Sequence, residues 1–174
     1  MQTNHVMNAK TTFECQGKTV KAYTSLVKSG SPVLAALIQQ HLQTEKKGVV
    51  EIRDTSFNVF LQLLRFMKTG QVNFQSTDIT TQLFVAADKY GVDALKEACG
   101  LQLAQTTSVE NAARLLILAH QHNSSTLRQS TLKFMSENRK TICSRNDSED
   151  GEWIDLFKNY PELGVAAMKI MVMA

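Results

Sequence analysis

The spacing of apolar residues changes near Asp54, and this change constrains the fold more than any other feature of the chain. Before Asp54, apolar residues fall in short alternating segments, whereas from Asp54 onward they recur at intervals of three and four. Alternation is typical of strands, and the longer interval is typical of one face of a helix. Glycine (8) and proline (2) are scarce among 174 residues, which favours long helices. The order predicts an α+β fold: a small sheet, then an all-α region.

The first third of the chain predicts a hairpin and one further strand. Thr11–Cys15 and Thr19–Tyr23 both alternate, and Gln16–Lys18 between them has turn composition. Val49–Ile52 follows a polar stretch and is a short strand candidate. Ser31 precedes Pro32 and can cap a helix that runs to about Gln40.

Apolar stripes predict roughly six to eight helices in the rest of the chain. The residues that mark them are Val59, Phe60, Leu63, Leu64 and Met67; Leu83, Phe84, Ala87 and Tyr90; Leu95, Ala98, Leu101 and Leu103; Val109, Ala112, Ala113, Leu116 and Ala119; Leu127, Thr131, Phe134 and Met135; then residues 153–160 and 163–173, separated by Pro161. Gly70 and Gly91 are expected helix ends. Thr107 and Glu110 fit a capping box, and residues 144–151 are polar enough for a loop.

Charge and cysteine content exclude several classes of protein. The net charge is only +3 and the basic residues are scattered, with Lys46–Lys47 as the densest pair, so we expect no nucleic-acid partner. Three widely spaced cysteines indicate buried thiols in a reducing compartment. The polar start is no signal peptide, and no apolar run approaches the roughly 20 residues that a bilayer requires. We therefore expect no membrane association, and a location in the nucleus or cytoplasm.

A search for catalytic chemistry finds no constellation of the required kind. Gly17-Lys18-Thr19 resembles the end of a phosphate loop, but Thr12 stands where that loop needs glycine. His120 and His122 are two apart, which suits a helix end better than a metal site. Cys99 has the setting of a packed core thiol. We expect no enzyme, no cofactor and no metal.

Seven methionines raise the possibility of a binding surface. Met67 and Met135 fit core positions, but Met168, Met171 and Met173 crowd a terminal helix that has few polar residues. Two interpretations of that helix stay open. It covers a partner or a second copy of the chain, or it packs on the preceding helices.

Several segments resemble, in order, the BTB/POZ domain family. The resemblance is carried by residues 22–34, 50–54, 59–60, 66–70, 86–90 and 95–96, of which 86–90 (Ala-Ala-Asp-Lys-Tyr) and 66–70 (Phe-Met-Lys-Thr-Gly) are the most distinctive. Residues 108–113 and 116–119, and Trp153 followed by Pro161, resemble the helical extension of speckle-type POZ proteins. The resemblance covers nearly all of the chain.

The resemblance implies a BTB/POZ domain over residues 1–105, with a small sheet clasped by helices, and a BACK-like all-α extension over 106–174. BTB domains commonly form homodimers, and heterodimers with related BTB proteins are a further expectation. The self-association residues that we expect are Leu26, Val27, Val33, Met168 and Met171.

Speckle-type POZ proteins use their BTB domain and following helices to bind the N-terminal domain of cullin-3, and so bring a substrate to a ubiquitin ligase. The resemblance places the cullin-binding residues at Leu42, Gln43, Thr44 and Glu45, and at Lys68, Thr69, Gly70 and Gln71. The family has a hydrophobic residue, any residue and then glutamate in the first segment, and here Thr44 takes the place of that glutamate. From its pattern Leu42 is either an exposed anchor ringed by polar residues or tucked under its loop.

Further departures from the family pattern leave two functions in competition. Tyr23-Thr24 replaces the family's His-Lys and Lys28-Ser29-Gly30 replaces its Ala-Ala-Arg. The chain lacks a MATH domain, the substrate-capturing domain of speckle-type POZ proteins, so we expect that it has lost substrate capture or is part of a longer protein. The leading hypothesis is an adaptor that self-associates and recruits cullin-3. The alternative is an oligomerisation module or competitor without cullin binding.

Overall fold

The computed structural model describes residues 9–44, 48–144 and 151–173, with the side chain of Thr44 excepted. Its contacts divide the chain into two compact units, residues 1–99 and 100–174. The division falls inside one helix, Asp93–Gln105, whereas the sequence analysis placed the domain boundary at the end of that helix.

The first unit contains a three-stranded sheet with the order β2-β1-β3. β1 (Lys10–Cys15) pairs antiparallel with β2 (Lys18–Tyr23) and parallel with β3 (Val49–Ile52), so that Phe13 lies opposite both Val20 and Val50. The predicted hairpin is confirmed. Its turn places Gln16 at φ 52° and Gly17 at φ 74°, both in the left-handed region, which Gly17 adopts without strain.

Five helices begin among the described residues of the first unit, and one of them was not predicted from the sequence. They are α1 (Thr24–Gly30), α2 (Pro32–Thr44), α3 (Phe57–Thr69), α4 (Thr77–Tyr90) and α5 (Asp93–Gln105). The seven residues of α1 bury only Val27, so they show no apolar stripe from which a helix could be recognised. The predicted helix ends at Gly70 and Gly91 are confirmed, and both glycines adopt the left-handed conformation.

The core of the first unit joins the sheet to α3 and α4 through three aromatic rings. The Phe60 ring lies edge-on to Phe13 at 5.3 Å and to Tyr90 at 5.9 Å, measured between ring centroids. Ser31 is fully buried beside them, where its Oγ donates to the carbonyl of Tyr90 at 2.5 Å and accepts from the Leu34 amide at 3.0 Å. The predicted Ser31 cap is therefore confirmed, and it also connects α2 to the end of α4.

In the second unit, the regular secondary structure of the described residues is all helical. After the end of α5 this unit contains α6 (Ala112–Gln121), α7 (Ser125–Glu137), α8 (Arg139–Ser144), α9 (Gly151–Asn159) and α10 (Pro161–Met173). α6 packs on α7 and α9, and α10 packs on the same two helices. Trp153, Leu156, Leu163 and Ala167 meet Leu116 and Met135 in one buried cluster.

The predicted capping box at Thr107 and Glu110 is wrong. α6 begins only at Ala112, and the Thr107 Oγ1 instead donates to carbonyls at the end of α5, to Ala104 at 2.9 Å. The Asn111 side chain accepts from the Ser108 amide at 2.8 Å and so organises the turn that the box was expected to make. Leu101, which marked the apolar stripe of α5, is 48% exposed. The predicted loop lies mostly outside the described residues, since only its ends, Ser144 and Gly151, are described.

Candidate functional site

The described residues hold no cluster of three metal-ligating side chains, and several polar and aromatic side chains link neighbouring helices. Lys96 donates to Asp88 at 2.5 Å, which links α4 to α5. The His120 ring lies edge-on to Tyr160, 5.7 Å between centroids, at the end of α6, and Gln121 donates to the Tyr160 hydroxyl at 2.6 Å. These groups connect helices within their own units. The candidate site is the surface on which the family resemblance places the binding residues.

Two of the three cysteines are packed as predicted. Burial raises the pKa of the Cys99 thiol to about 12, so it stays protonated at neutral pH. Burial and the neighbouring Asp54 carboxylate raise the pKa of Cys15, whose Sγ donates to the Thr55 carbonyl at 2.7 Å. Cys143 is exposed on α8, which corrects the expectation of three buried thiols.

The first candidate segment lies at the end of α2, which continues four residues beyond the predicted end at Gln40. Leu34 and Ile38 are buried on the inner face of this helix, but the helix extends beyond the core into which these two residues pack. As a result Leu42 is 69% exposed, and Gln39 and Gln43 beside it are exposed as well. Of the two interpretations of Leu42, the structure has the exposed side chain, and its role as an anchor stays a prediction. The side chain of Thr44 and all of Glu45 lie outside the described residues.

The second candidate segment, Lys68–Gln71, forms the end of α3 and is exposed throughout. The Gly70 amide donates to the Phe66 carbonyl at 2.7 Å. The Thr69 Oγ1 donates to the Arg65 carbonyl at 2.9 Å and accepts from the Gln71 amide at 3.2 Å. These bonds fix the backbone of the turn. Because α2 and α3 both pack on α1 and α4, the same scaffold holds both candidate segments.

The five expected self-association residues differ in exposure. Val33 is 36% exposed, Met168 is 48% exposed and Leu26 is half-buried. Val27 and Met171 are buried inside their own units, because Val27 is the one inward residue of α1 and Met171 lies in the cluster that α10 forms with its neighbours. These two residues therefore support the fold and offer no surface to a partner.

α9 and α10 carry an exposed apolar surface that the sequence analysis found only in part. We call it the α9–α10 face, and its exposed members are Ile154, Phe157, Val165, Met168, Ile170, Val172 and Met173. Single exposed apolar residues are ordinary, but seven of them on two helices that pack together are a candidate interaction surface. Packing on the preceding helices, one of the two interpretations of α10, is confirmed, and a partner that covers this helix stays a prediction. One side of α10 packs on α7 and α9, and another side is exposed. The exposure of Ile154 and Phe157 could have been predicted from the sequence, because apolar residues occur on more than one side of their short helix, α9.

Comparison with known proteins identifies similarity to one family. Residues 4–107 match the family model described as BTB/POZ domain. The chain is 32% identical over 148 residues to TD and POZ domain-containing protein 5 of Mus musculus, across 84% of this chain and 42% of that protein. It is 30% identical over 159 residues to TD and POZ domain-containing protein 3 of the same species, across 91% of this chain and 42% of that protein.

A third relative comes from a nematode. Protein maternal effect lethal 26 of Caenorhabditis elegans is 28% identical over 148 residues, across 84% of this chain and 36% of that protein. The chain thus spans about two fifths of the length of the curated relatives it matches.

Proposed function

Because the chain belongs to the BTB/POZ family, whose domains mediate dimerisation and other protein interactions, we propose that it is an adaptor that self-associates and recruits the N-terminal domain of cullin-3. Its role in this proposal is to assemble a ubiquitin ligase complex in the nucleus or cytoplasm. The observation that carries the proposal is Leu42, an exposed leucine at the end of α2 in the position where the family resemblance puts the cullin contact.

The setting of Leu42 suits an interface anchor. A leucine that moves from water into an apolar pocket contributes about 1.5–3 kcal/mol, enough to dominate a small contact. Gln39 and Gln43 beside it are exposed polar residues, as at the rim of an interface. The ordered turn at Lys68–Gln71 supplies backbone and side-chain polar groups on the same scaffold. Recruitment needs no bond chemistry, so buried anchors and shape are sufficient.

Self-association rests on two exposed apolar regions, one in each unit. Leu26 and Val33 provide the first, in α1 and α2. The α9–α10 face provides the second, with Met168 among its exposed members. An apolar surface of this kind loses contact with water when a second copy covers it, and that loss is the main driving force for association.

The test is a titration of the cullin-3 N-terminal domain into wild-type protein and single variants. We expect Leu42→Ala to weaken binding by about tenfold or more, because the anchor is lost. Leu101→Ala is the matched control, since Leu101 is 48% exposed and lies outside both candidate segments, and it should bind like the wild type. Equal affinity of the Leu42→Ala variant and the wild type would remove the observation on which the proposal depends.

A second variant separates a weakened cullin site from an absent one. Thr44 stands where the family has glutamate, so Thr44→Glu should tighten binding if the remaining contacts are in place. If neither the wild type nor Thr44→Glu binds the cullin domain, the alternative function is favoured: an oligomerisation module, or a competitor that pairs with related BTB proteins. Thr44 and the α9–α10 face are the observations that favour this alternative.

A further inference from the structure

A cleft in the first unit has an apolar floor and a rim of positive charge. It encloses about 530 Å³ between β2, α1 and α3. The apolar residues that line it are Val20, Ala22, Tyr23, Leu26, Leu61 and Leu64, and the cations that line it are Lys10, Lys21, Arg65 and Lys68. None of its lining residues is acidic.

Few carboxylates lie near the cations of this cleft: β1, the strand beside β2, carries Glu14, two residues from Thr12, which pairs with Lys21. Residues 16–44 and 55–77, which include all of β2, α1 and α3, contain no aspartate or glutamate. Within the described part of the chain, the ion pairs join other cations to carboxylates, such as Lys89 to Asp54 and Lys96 to Asp88. The Lys10 Nζ lies 4.9 Å from the centroid of the Tyr23 ring, so that the ammonium group makes a cation–π interaction with this ring.

The cleft runs along the edge of the sheet. Consecutive residues of a strand point to opposite faces, yet the whole run from Val20 to Tyr23 lines the cleft. β2 is an outer strand of the described sheet, with β1 as its neighbour. An outer strand presents backbone donors and acceptors on its open side, which is suited to an extended peptide.

We propose that this cleft binds an acidic peptide segment that carries an apolar side chain. The apolar side chain would lie on the floor formed by Leu26, Leu61 and Leu64, and carboxylates would pair with Lys21 and Arg65 at the rim. Electrostatic complementarity fixes the sign of the partner's charge. Single-stranded nucleic acid fits less well, because its bases stack on aromatic side chains and Tyr23 is the one aromatic residue in the lining. Two copies joined cleft to cleft would oppose like charges.

The test uses three labelled synthetic peptides of twelve residues, measured by fluorescence anisotropy at low and at moderate salt. One alternates glutamate with leucine, one alternates lysine with leucine, and one alternates glutamate with serine. We expect the glutamate–leucine peptide to bind more tightly than both others, and to weaken as salt rises. Equal or tighter binding of the lysine–leucine peptide or of a single-stranded DNA 12-mer would overturn the proposal.

Charge-reversal variants test whether the peptide binds in this cleft. Lys21→Glu and Arg65→Glu should each weaken the glutamate–leucine peptide by about tenfold, because each replaces an attraction with a repulsion. Lys140→Glu is the matched control, since it makes the same charge change at an exposed position of α8. Thermal unfolding of each variant establishes that it is folded. If Lys140→Glu weakens binding as much as Arg65→Glu, the peptide responds to net charge alone and the cleft is not its site.

A third variant tests the apolar floor separately from the charge. Leu61 is 42% exposed, so Leu61→Ser should leave the fold intact. It should weaken the glutamate–leucine peptide and leave the glutamate–serine peptide unchanged, and an equal effect on both would contradict the proposal. The cleft shares Lys68 and Thr69 with the second segment proposed for cullin-3, but Leu42 lies outside the cleft, so Leu42→Ala should weaken cullin binding and leave peptide binding unchanged. The two proposals can therefore fail independently.

Discussion

Ser31 shows how one polar side chain in the core can organise two helices. Its hydroxyl donates to the Tyr90 carbonyl and accepts from the Leu34 amide, so both of its roles as a hydrogen-bonding group are filled in a buried place. The bond to Leu34 could be predicted from sequence, since a serine before proline is a local capping pattern. The bond to Tyr90 could not, because it joins residues 59 apart and depends on how α2 packs against α4.

We predict that Ser31→Ala destabilises the first unit by about 1–3 kcal/mol, because it leaves a buried carbonyl and amide without their partner. Ser29→Ala is the control, since the Ser29 hydroxyl donates to the Leu26 carbonyl at 3.0 Å in an exposed position. Urea unfolding followed by circular dichroism measures both. A Ser31→Ala variant as stable as Ser29→Ala would show that the buried hydroxyl contributes nothing to folding.

The three thiols should differ in reactivity. At pH 7.5 we expect iodoacetamide to modify Cys143 in the folded protein, and Cys15 and Cys99 only after unfolding, because burial both shields these two and raises their pKa. Mass spectrometry of digested protein identifies the modified residues. Rapid modification of Cys99 under native conditions would contradict the buried core around α5.

At the scale of elements, helices with a clear apolar stripe were predictable and short connections were not. α3, α4 and α7 follow their stripes closely, because burial of one face determines both their sequence and their place. α1 has one buried residue, so its sequence shows no apolar stripe that would predict a helix. The turn before α6 was predicted wrongly because Thr107 bonds back to α5, and a capping motif in sequence does not say which helix its hydroxyl serves.

α10 has a buried side and an exposed side. Met171 lies on the buried side and Met168, three residues earlier, lies on the exposed side, so substitutions at these two positions test the two sides separately. Met171→Glu should destabilise the second unit by several kcal/mol, because it buries a charge. Met168→Glu should leave the stability of the unit nearly unchanged and reduce self-association, because Met168 is exposed. Fluorescence of Trp153, the single tryptophan, reports unfolding, and sedimentation velocity reports association. Unaltered association of Met168→Glu would mean that the α9–α10 face is not used between copies.

At the scale of the whole molecule, the order of elements and the family were predictable from sequence, and the composition of the candidate site was predictable only in part. Leu42 stood out as an apolar residue among polar ones, and its exposure was decided by the length of α2. The cleft between β2, α1 and α3 had no linear signal, because its cations are spread from Lys10 to Lys68 and meet only in the folded unit. Val27 and Met171 were assigned to a surface because apolar character alone does not separate a core residue from an interface residue.

We propose that this BTB/POZ chain acts by self-association and cullin recruitment. The most direct test is size-exclusion chromatography with light scattering, on the chain alone and mixed with the cullin-3 N-terminal domain. We predict that the chain alone has a mass above that of one 19.4 kDa protomer, and that it co-migrates with the cullin domain. A 19.4 kDa particle that elutes apart from the cullin domain would contradict the claim.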